Sequence, residues 1–357
     1  MKYLTLIIHH NNCFNSFVMK NIILFLVFTF IASFSVAAQN EKVETLLKKG
    51  VALHDKGKYK EAIDVYEQAL EIDNNNAQVL YEMGLTYFTM KDYNKAIKYS
   101  NLSIENSDEF ALHSYINIGS SYDDMGQPKK AISTYNKALK KFDADYLLHF
   151  NLAITLFKLK EYDDAGQHLE KAIALNPGHG SSHYILGLIR YDQNQRVQSL
   201  LSLYFFLLLD QESERNGIAM DLLIGHLGAG VKQISEKETT ISLDIDMLKG
   251  EFSAAETLLS LTAALRNSEE HKSDTEAEFL FFQSKRLFSS LKESADKQKG
   301  FYWDFYVQFY TELMDSEHGD TFLYYITAPK YDTSATWLKE NEKKEEAMLE
   351  WIVAYKF

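Results

Sequence analysis

Apolar residues recur at intervals of three and four along most of the chain from Val43 onward, the spacing that gathers them on one face of an α-helix. Between Val43 and Ser213 the helices come in pairs. Leu46, Leu47, Gly50 and Leu53 mark one helix, Gly57-Lys58-Tyr59 a turn, and Ala62, Ile63, Tyr66, Ala69 and Leu70 a second. Aligning Gly50, Gly84, Gly119, Ala153 and Gly187 shows the pair repeating in steps of 34, 35, 34 and 34 residues. Two further columns keep the same steps: Ala62, Ala96, Ala131, Ala165 and Ser199, then Ala69, Ser103, Ala138, Ala172 and Phe206. Helices approach to about 8–10 Å only where the contact side chains are small enough. These columns therefore predict tightly packed hairpins over about 43–76, 77–110, 112–145, 146–179 and 180–213.

The copies are not identical. The second keeps Leu80, Gly84, Tyr87, Tyr93, Ala96 and Ile97, while Ser100 and Ser103 weaken its second helix. The third inserts one residue before Gly119 and then repeats Tyr122, Gly126, Ala131, Tyr135 and Ala138. The fourth ends at Pro177, which stops a helix because it lacks an N–H and restricts the residue before it. In the fifth, Arg190 stands in an aromatic position, and Leu200 to Leu209 is apolar almost all round. A helix without a polar face must be covered on both sides, so part of the following chain is expected to pack over it.

Beyond Ser213 no repeat registers. Helical patterns lie near Gly217–Leu227, Asp246–Arg266, Thr275–Ser294, Phe301–Met314 and Ser334–Tyr355, with shorter turns near Asp320–Thr327. Thr239 to Asp246 alternates in the manner of an extended segment. The run from Phe301 to Tyr310 holds seven aromatics in ten residues; it is a ligand cage or, more ordinarily, a buried helix. No Gly/Ser/Pro linker separates the halves, which favours docking over beads on a string.

The first 38 residues carry two lysines, no acidic residue and a run of apolar side chains. Met19-Lys20-Asn21 reads as a positive start, Ile22 to Phe34 as an apolar core and Val36-Ala37-Ala38 as a cleavage site. The expectation is an export signal over 1–38, with Met19 the true start and Gln39 the mature N-terminus. Ile22 to Ala38 is 17 residues, the short edge of a bilayer span, so an uncleaved N-terminal anchor is the alternative. The mature chain is expected to be periplasmic or secreted, with no further membrane insertion. The single cysteine, Cys13, precedes the cleavage point, leaving no disulfide, thiolate metal site or thiol nucleophile. Without the signal, 35 basic residues face 50 acidic ones, a net charge of −15. That balance argues against nucleic acid and anionic lipid as partners.

The small-residue columns, Tyr87 and Tyr122 and the closing Pro177 resemble the tetratricopeptide repeat (TPR) family. With its Ala-Gln signal end, the chain is similar to periplasmic TPR proteins of Bacteroidetes-type bacteria. The resemblance implies an all-α fold: an α-solenoid of about five TPR hairpins over 39–213, followed by an irregular helical C-terminal domain over 214–357. It also implies a concave wall lined mainly by the first helix of each hairpin. Here that wall would hold Tyr81, Leu85 and Phe88, then Ile116, Ser120 and Asp123, then Phe150, Ile154 and Phe157, then Tyr184, Leu188 and Tyr191. Lys158 is the only basic residue among the wall positions. TPR grooves that hold acidic peptide ends are similar to one another in being basic, so such a clamp is not expected here.

Candidate chemistry is sparse. There is no H-E-x-x-H, G-x-S-x-G, phosphate loop or dinucleotide fingerprint. His179 and His183 are four apart, but His183 falls at a packing position and His179 in the turn after Pro177. Asp315-Ser-Glu-His-Gly-Asp320 lacks the glycine placement and last glutamate of a calcium loop. Asp123-Asp124 and Asp163-Asp164 have nothing nearby to split their pKa values. The expected function is a non-catalytic scaffold, without metal or cofactor, that holds an envelope protein or peptide segment through an apolar, aromatic groove. That groove is either open to a partner or filled by the chain's own C-terminal helices. The alternative is a C-terminal enzyme or small-ligand receptor with the repeats as its targeting arm, which a cavity lined by convergent polar groups would favour.

Overall fold

The computed structural model describes residues 39–235, 238–241 and 250–357. The export signal expected over 1–38 lies outside the described residues, as do residues 242–249, where most of the expected extended segment falls. The fold is all-α in class, with one two-stranded antiparallel hairpin among the described residues, β1 (Val231–Ser235) and β2 (Glu238–Ile241). These residues form two compact units, one ending at Ala138 and one running from Leu139 to Phe357.

The first unit contains α1 (39–55), α2 (Tyr59–Ile72), α3 (Ala77–Thr89), α4 (Tyr93–Asn106), α5 (Ala111–Asp124) and most of α6 (Pro128–Leu139). Its glycine column is required by what faces it. A Cβ on Gly50 would lie 2.2 Å from the Tyr66 ring, and one on Gly119 would lie 2.4 Å from the Tyr135 ring. In the second copy Ser100 takes the place of these tyrosines, and a Cβ on Gly84 would still meet its Oγ at 2.5 Å. The serines of that copy are satisfied: Asn117 Nδ2 donates to Ser100 Oγ (2.8 Å) and Ser103 Oγ donates to the Ala77 carbonyl (2.8 Å). The extra residue of the third copy is taken up at the start of α5, which has 14 residues against 13 in α3. The Asn76 side chain caps α3, whereas Phe110 at the corresponding end of α5 offers no cap.

The second unit begins with two more hairpins, α7 (Tyr146–Lys158) with α8 (Tyr162–Leu175), and α9 (Gly180–Asp192) with α10 (Arg196–Leu209). It continues through α11 (Glu214–Gly228), the β-hairpin, α12 (Ser253–Ala264), α13 (Glu276–Ala295), a π-helical segment at Tyr302–Val307 that runs into α14 (Gln308–Asp315), α15 (Gly319–Thr327), α16 (Asp332–Glu340) and α17 (Glu342–Ala354). Two elements differ from the sequence expectation. The helix expected over Ser334–Tyr355 is broken at Asn341 (φ −126°, ψ 34°), whose side chain donates to the Trp337 carbonyl, the local bonding that makes asparagine a helix terminator. The turns expected near Asp320–Thr327 are one helix of 9 residues.

A turn column runs through both units. Gly57, Lys91, Gly126, Lys160 and Asn194 all have positive φ, and each hairpin closes with the same backbone bonds, such as Lys58 N–H to the Leu53 carbonyl and Gln195 N–H to the Arg190 carbonyl. This is the glycine-type helix stop, and three non-glycine residues adopt it.

Helix α10 is the core of the second unit. Every residue from Val197 to Leu208 except Gln198 is buried, and the π-segment, α11, α12 and α15 all pack on it. The aromatic run from Phe301 is a buried helix rather than a cage: Tyr302, Trp303, Phe305, Tyr306, Phe309 and Tyr310 are all inside. Its polar tips each find a partner. Tyr302 accepts from Arg190 Nε (2.7 Å), Tyr310 donates to the Leu201 carbonyl (3.0 Å), and Trp303 Nε1 donates to Glu251 (2.7 Å). His183 Nε2 must donate to the Pro177 carbonyl (2.9 Å), so its Nδ1 accepts from the Tyr306 hydroxyl (2.7 Å).

Gly119→Ala is expected to destabilise the first unit by ~1–3 kcal/mol through overpacking against Tyr135. Gly217→Ala in α11, where nothing lies within 4 Å, should stabilise by up to ~1 kcal/mol; thermal melts of the two variants check the contrast. Burial holds three histidines of the second unit below the ordinary 6.5, His183 down to about 3, and His168 and His226 to about 4. The unfolded chain therefore binds more protons below pH 6.5. The stability these neutral rings hold is complete above about 6.5 and is lost as pH falls towards about 4. Urea midpoints at pH 7.5 and 5.5, above the carboxylate range, should show the decline.

Candidate protein-binding surface

In the first unit Tyr81, Leu85 and Phe88 follow one another at four and three residues on α3, which places them on one face. All three are half-buried, as is Ile116 on α5. Helices α3 and α5 pack directly on each other. The Tyr81 ring lies 6.0 Å from Phe110, at the start of α5, and Phe88 lies 5.8 Å from Tyr93. Ser120 does not present a free hydroxyl, since its Oγ is 3.0 Å from the Tyr135 hydroxyl. Asp123 is half-buried.

In the second unit Phe150, Ile154 and Phe157 form the same stripe on α7, each half-buried. Their ring contacts are local: Phe150 meets the edge of His179 at 4.6 Å, and Phe157 meets Tyr162 at 5.9 Å. On α9 the three wall positions differ. Tyr184 is buried, with Phe206 at 4.8 Å and the Arg215 guanidinium over its ring. Leu188 is half-buried, and Tyr191 is 42% exposed while resting on His226 of α11. The rings that touch α9's wall thus come from α10 and α11. The aromatic segment and its neighbours reach α9 instead through His183 and Arg190, away from these positions.

The roles of three features are visible only in the structure. The first is Arg190, which departs from the repeat because it docks the C-terminal part. Besides Tyr302, its guanidinium binds Glu170 (2.8 Å) and Gln193 (2.7 Å). An arginine in an aromatic column was the available signal. The second is the pair His149 and His168, whose Nδ1 atoms are 2.8 Å apart. His149 Nε2 donates to the Asp143 carbonyl, so His168 is the donor within the pair. The third is Glu82, half-buried beside Tyr81, whose carboxyl is raised above its ordinary range by burial and then by the charge of Asp55. Glu82 also raises the Tyr81 phenol, after burial. It is not one of the wall positions the family pattern names, but α3 and α5 contain no lysine or arginine, which marks the face as acidic.

The residues weighed for chemistry are dispersed. His183 has both nitrogens engaged, and His179 Nδ1 is held by Ser182 (2.8 Å). In the loop after α14, Asp315 pairs with Lys292 and Asp320 with Lys285. Among the described residues no group of three or more His, Cys, Asp or Glu side chains is placed to hold a metal ion, and no helix is long and apolar enough to cross a membrane. A cavity of about 540 Å³ opens between α11, α12 and α13. Its polar groups pair with one another or with backbone: Lys330 with Asp221, Tyr331 with Glu276, and Arg266 with the His271 and Asp274 carbonyls.

Three family models match the hairpins: "TPR repeat" over residues 50–91, and "Tetratricopeptide repeat" over 75–144 and over 116–180. Residues 50–180 are tetratricopeptide repeats. Among curated relatives, the TPR region is similar to the anaphase-promoting complex subunit CDC16 of Saccharomyces cerevisiae, 29% identical over 33% of this chain and 15% of that protein. It is also similar to the Hsp70-Hsp90 organising protein of Plasmodium falciparum, 27% identical over 38% of this chain and 24% of that one. The chain thus spans less than a quarter of the length of either relative. Among solved structures, Pseudomonas aeruginosa pilF aligns over 69% of this chain and 99% of that chain, at 15% identity and a TM-score of 0.46. TPR proteins generally mediate protein–protein interactions.

The unequal burial of the wall gives a test. Tyr184→Ala is expected to lower stability by ~3 kcal/mol, as for a buried aromatic, whereas Tyr191→Ala should stay within ~1 kcal/mol of the parent chain. Chemical denaturation of both variants reads the difference.

Proposed function

We propose that this protein is a non-catalytic scaffold of the cell envelope, exported by a signal over residues 1–38, that holds a segment of another protein against the aromatic walls of its TPR hairpins. The observation that carries this reading is the pair of matched stripes, Tyr81, Leu85 and Phe88 on α3 and Phe150, Ile154 and Phe157 on α7, which remain half-exposed on otherwise well-packed helices. Large side chains left partly open on a helix surface mark a contact site, and a helix or strand laid along either stripe would bury its rings. The named relatives support it: one is a subunit of a complex, and another is an organising protein named for two others. A small-ligand receptor in the C-terminal half is less well supported, because the polar groups around the 540 Å³ cavity are already paired.

The mature chain, immobilised and exposed to envelope extract, is expected to retain one or a few proteins. Phe88→Glu and Phe157→Glu should abolish retention while leaving the melting temperature within a few degrees. A chain that retains nothing, or variants that lose their fold, would count against the reading. N-terminal sequencing should find Gln39 at the start of the exported protein, and an intact Met19 would rule out cleavage.

A further inference from the structure

We propose that the cavity between α11, α12 and α13 binds a small, uncharged, largely apolar molecule carrying one N–H or O–H donor, which Gln283 receives. The site lies among the C-terminal helices and goes beyond the scaffold reading, on which it does not depend.

The cavity's volume of about 540 Å³ falls within the ~300–1,000 Å³ of small-molecule sites. Its inner wall is apolar: Leu227, Ala263, Phe279 and Leu280 line it, and all four are buried. Charge stands at the rim, where two acids and two bases balance. Each has its partner: Lys330 lies 2.7 Å from Asp221, Arg266 donates to two backbone carbonyls, and Glu276 accepts from the Tyr331 hydroxyl. Asn267 is engaged as well. A charged ligand would have to separate one of these pairs. The paired rim thus weighs against a polar or charged ligand and leaves an apolar one unopposed. Such a molecule gains by moving its surface out of water.

The donor is specified by one further side chain of that inner wall. Gln283 is 4% exposed, and its Nε2 donates to the Leu227 carbonyl (2.8 Å). That bond fixes which end of the amide is which, because a flipped amide would set two oxygens against each other. Oε1 is left over, and it accepts no hydrogen bond among the described residues. Buried polar atoms in native proteins nearly always have a partner, and one left without a partner costs free energy. Here the acceptor belongs to a residue that lines an open cavity, so the missing donor can arrive with a ligand. A molecule with one N–H or O–H completes the wall, one without a donor strands Oε1, and one that offers only an acceptor there is repelled.

The test titrates the full mature chain with two matched pairs of probes, indole with N-methylindole and naphthol with its methyl ether, and follows binding by calorimetry. In each pair the second member keeps the rings and loses the donor. Indole and naphthol should bind about tenfold more tightly than their methylated counterparts, the worth of one buried hydrogen bond. Indoleacetate, which adds a negative charge, should bind more weakly than indole. Ala263→Phe fills the cavity without touching Gln283 and should abolish binding of every probe at an unchanged melting temperature. Gln283→Met removes the acceptor and should bring each pair to equal affinity. If that variant loses its fold, the contrast within the pairs and the loss in Ala263→Phe still decide the matter. Equal affinities within both pairs, binding that survives Ala263→Phe, or no binding of either donor-bearing probe overturns the inference, and each of these leaves the scaffold reading standing.

Discussion

Helix α10 has no side that tolerates water, and the second unit is built around hiding it. The side chains from Leu200 to Leu208 are all buried, each contributing on the order of 1.5–3 kcal/mol if it is large and apolar. A terminal repeat with such a helix cannot end the array. It requires a cover, and the chain supplies one in the aromatic segment that starts at Phe301. Rings alone would satisfy the hydrophobic requirement, but they would not fix orientation. Orientation comes from hydroxyls: Tyr302, Tyr306 and Tyr310, spaced by four, reach Arg190, His183 and the Leu201 carbonyl respectively. The segment Tyr302–Val307 is wound as a π-helix, a rare form that occurs mostly as single turns within α-helices.

The same economy of space governs the hairpins. Where a tyrosine from the second helix crosses the first, as at Tyr66 and Tyr135, the facing residue is glycine and a methyl group would collide. The fourth copy carries Ala153 with Leu169 at the corresponding position, whereas Gly84 against Ser100 and Gly187 against Leu203 still leave no room for a methyl group. The turns are less demanding: Lys91, Lys160 and Asn194 adopt the positive φ that Gly57 and Gly126 adopt more easily. Crossing points therefore restrict residue type more tightly than turns do, because packed atoms cannot yield while an exposed turn can absorb ~1–2 kcal/mol of backbone strain.

Packing and charge divide the labour on the first unit's helices. Lysines occupy α2, α4 and α6, and some rest over tyrosine rings, as Lys95 does over Tyr87 and Lys130 over Tyr122. The first helices of the second and third hairpins hold no lysine or arginine. That division gives the two kinds of helix different surfaces without any change in fold, and it is why a TPR array can present a distinct chemistry on one face while its core columns stay the same.

The sequence by itself determined the repeat. Small residues in step could mean little other than closely crossing helices, and ten helices of hairpins follow from that periodicity. It also determined that Leu200–Leu209 needed a cover, since the hydrophobic requirement of a helix is readable from its composition. Other features were decided only by tertiary structure. The cover proved to be the run from Phe301, a hundred residues away, and no local pattern encodes which distant apolar segment will fit. Arg190 reads as an aberrant repeat residue until Tyr302 and Glu170 are seen beside it. Tyr184 and Tyr191 are indistinguishable as sequence positions, yet one is buried under Phe206 and Arg215 while the other stays 42% exposed. The physical reason is the same throughout. Periodicity along a helix reports which face is apolar, but burial and partnership depend on what the rest of the chain brings to that face.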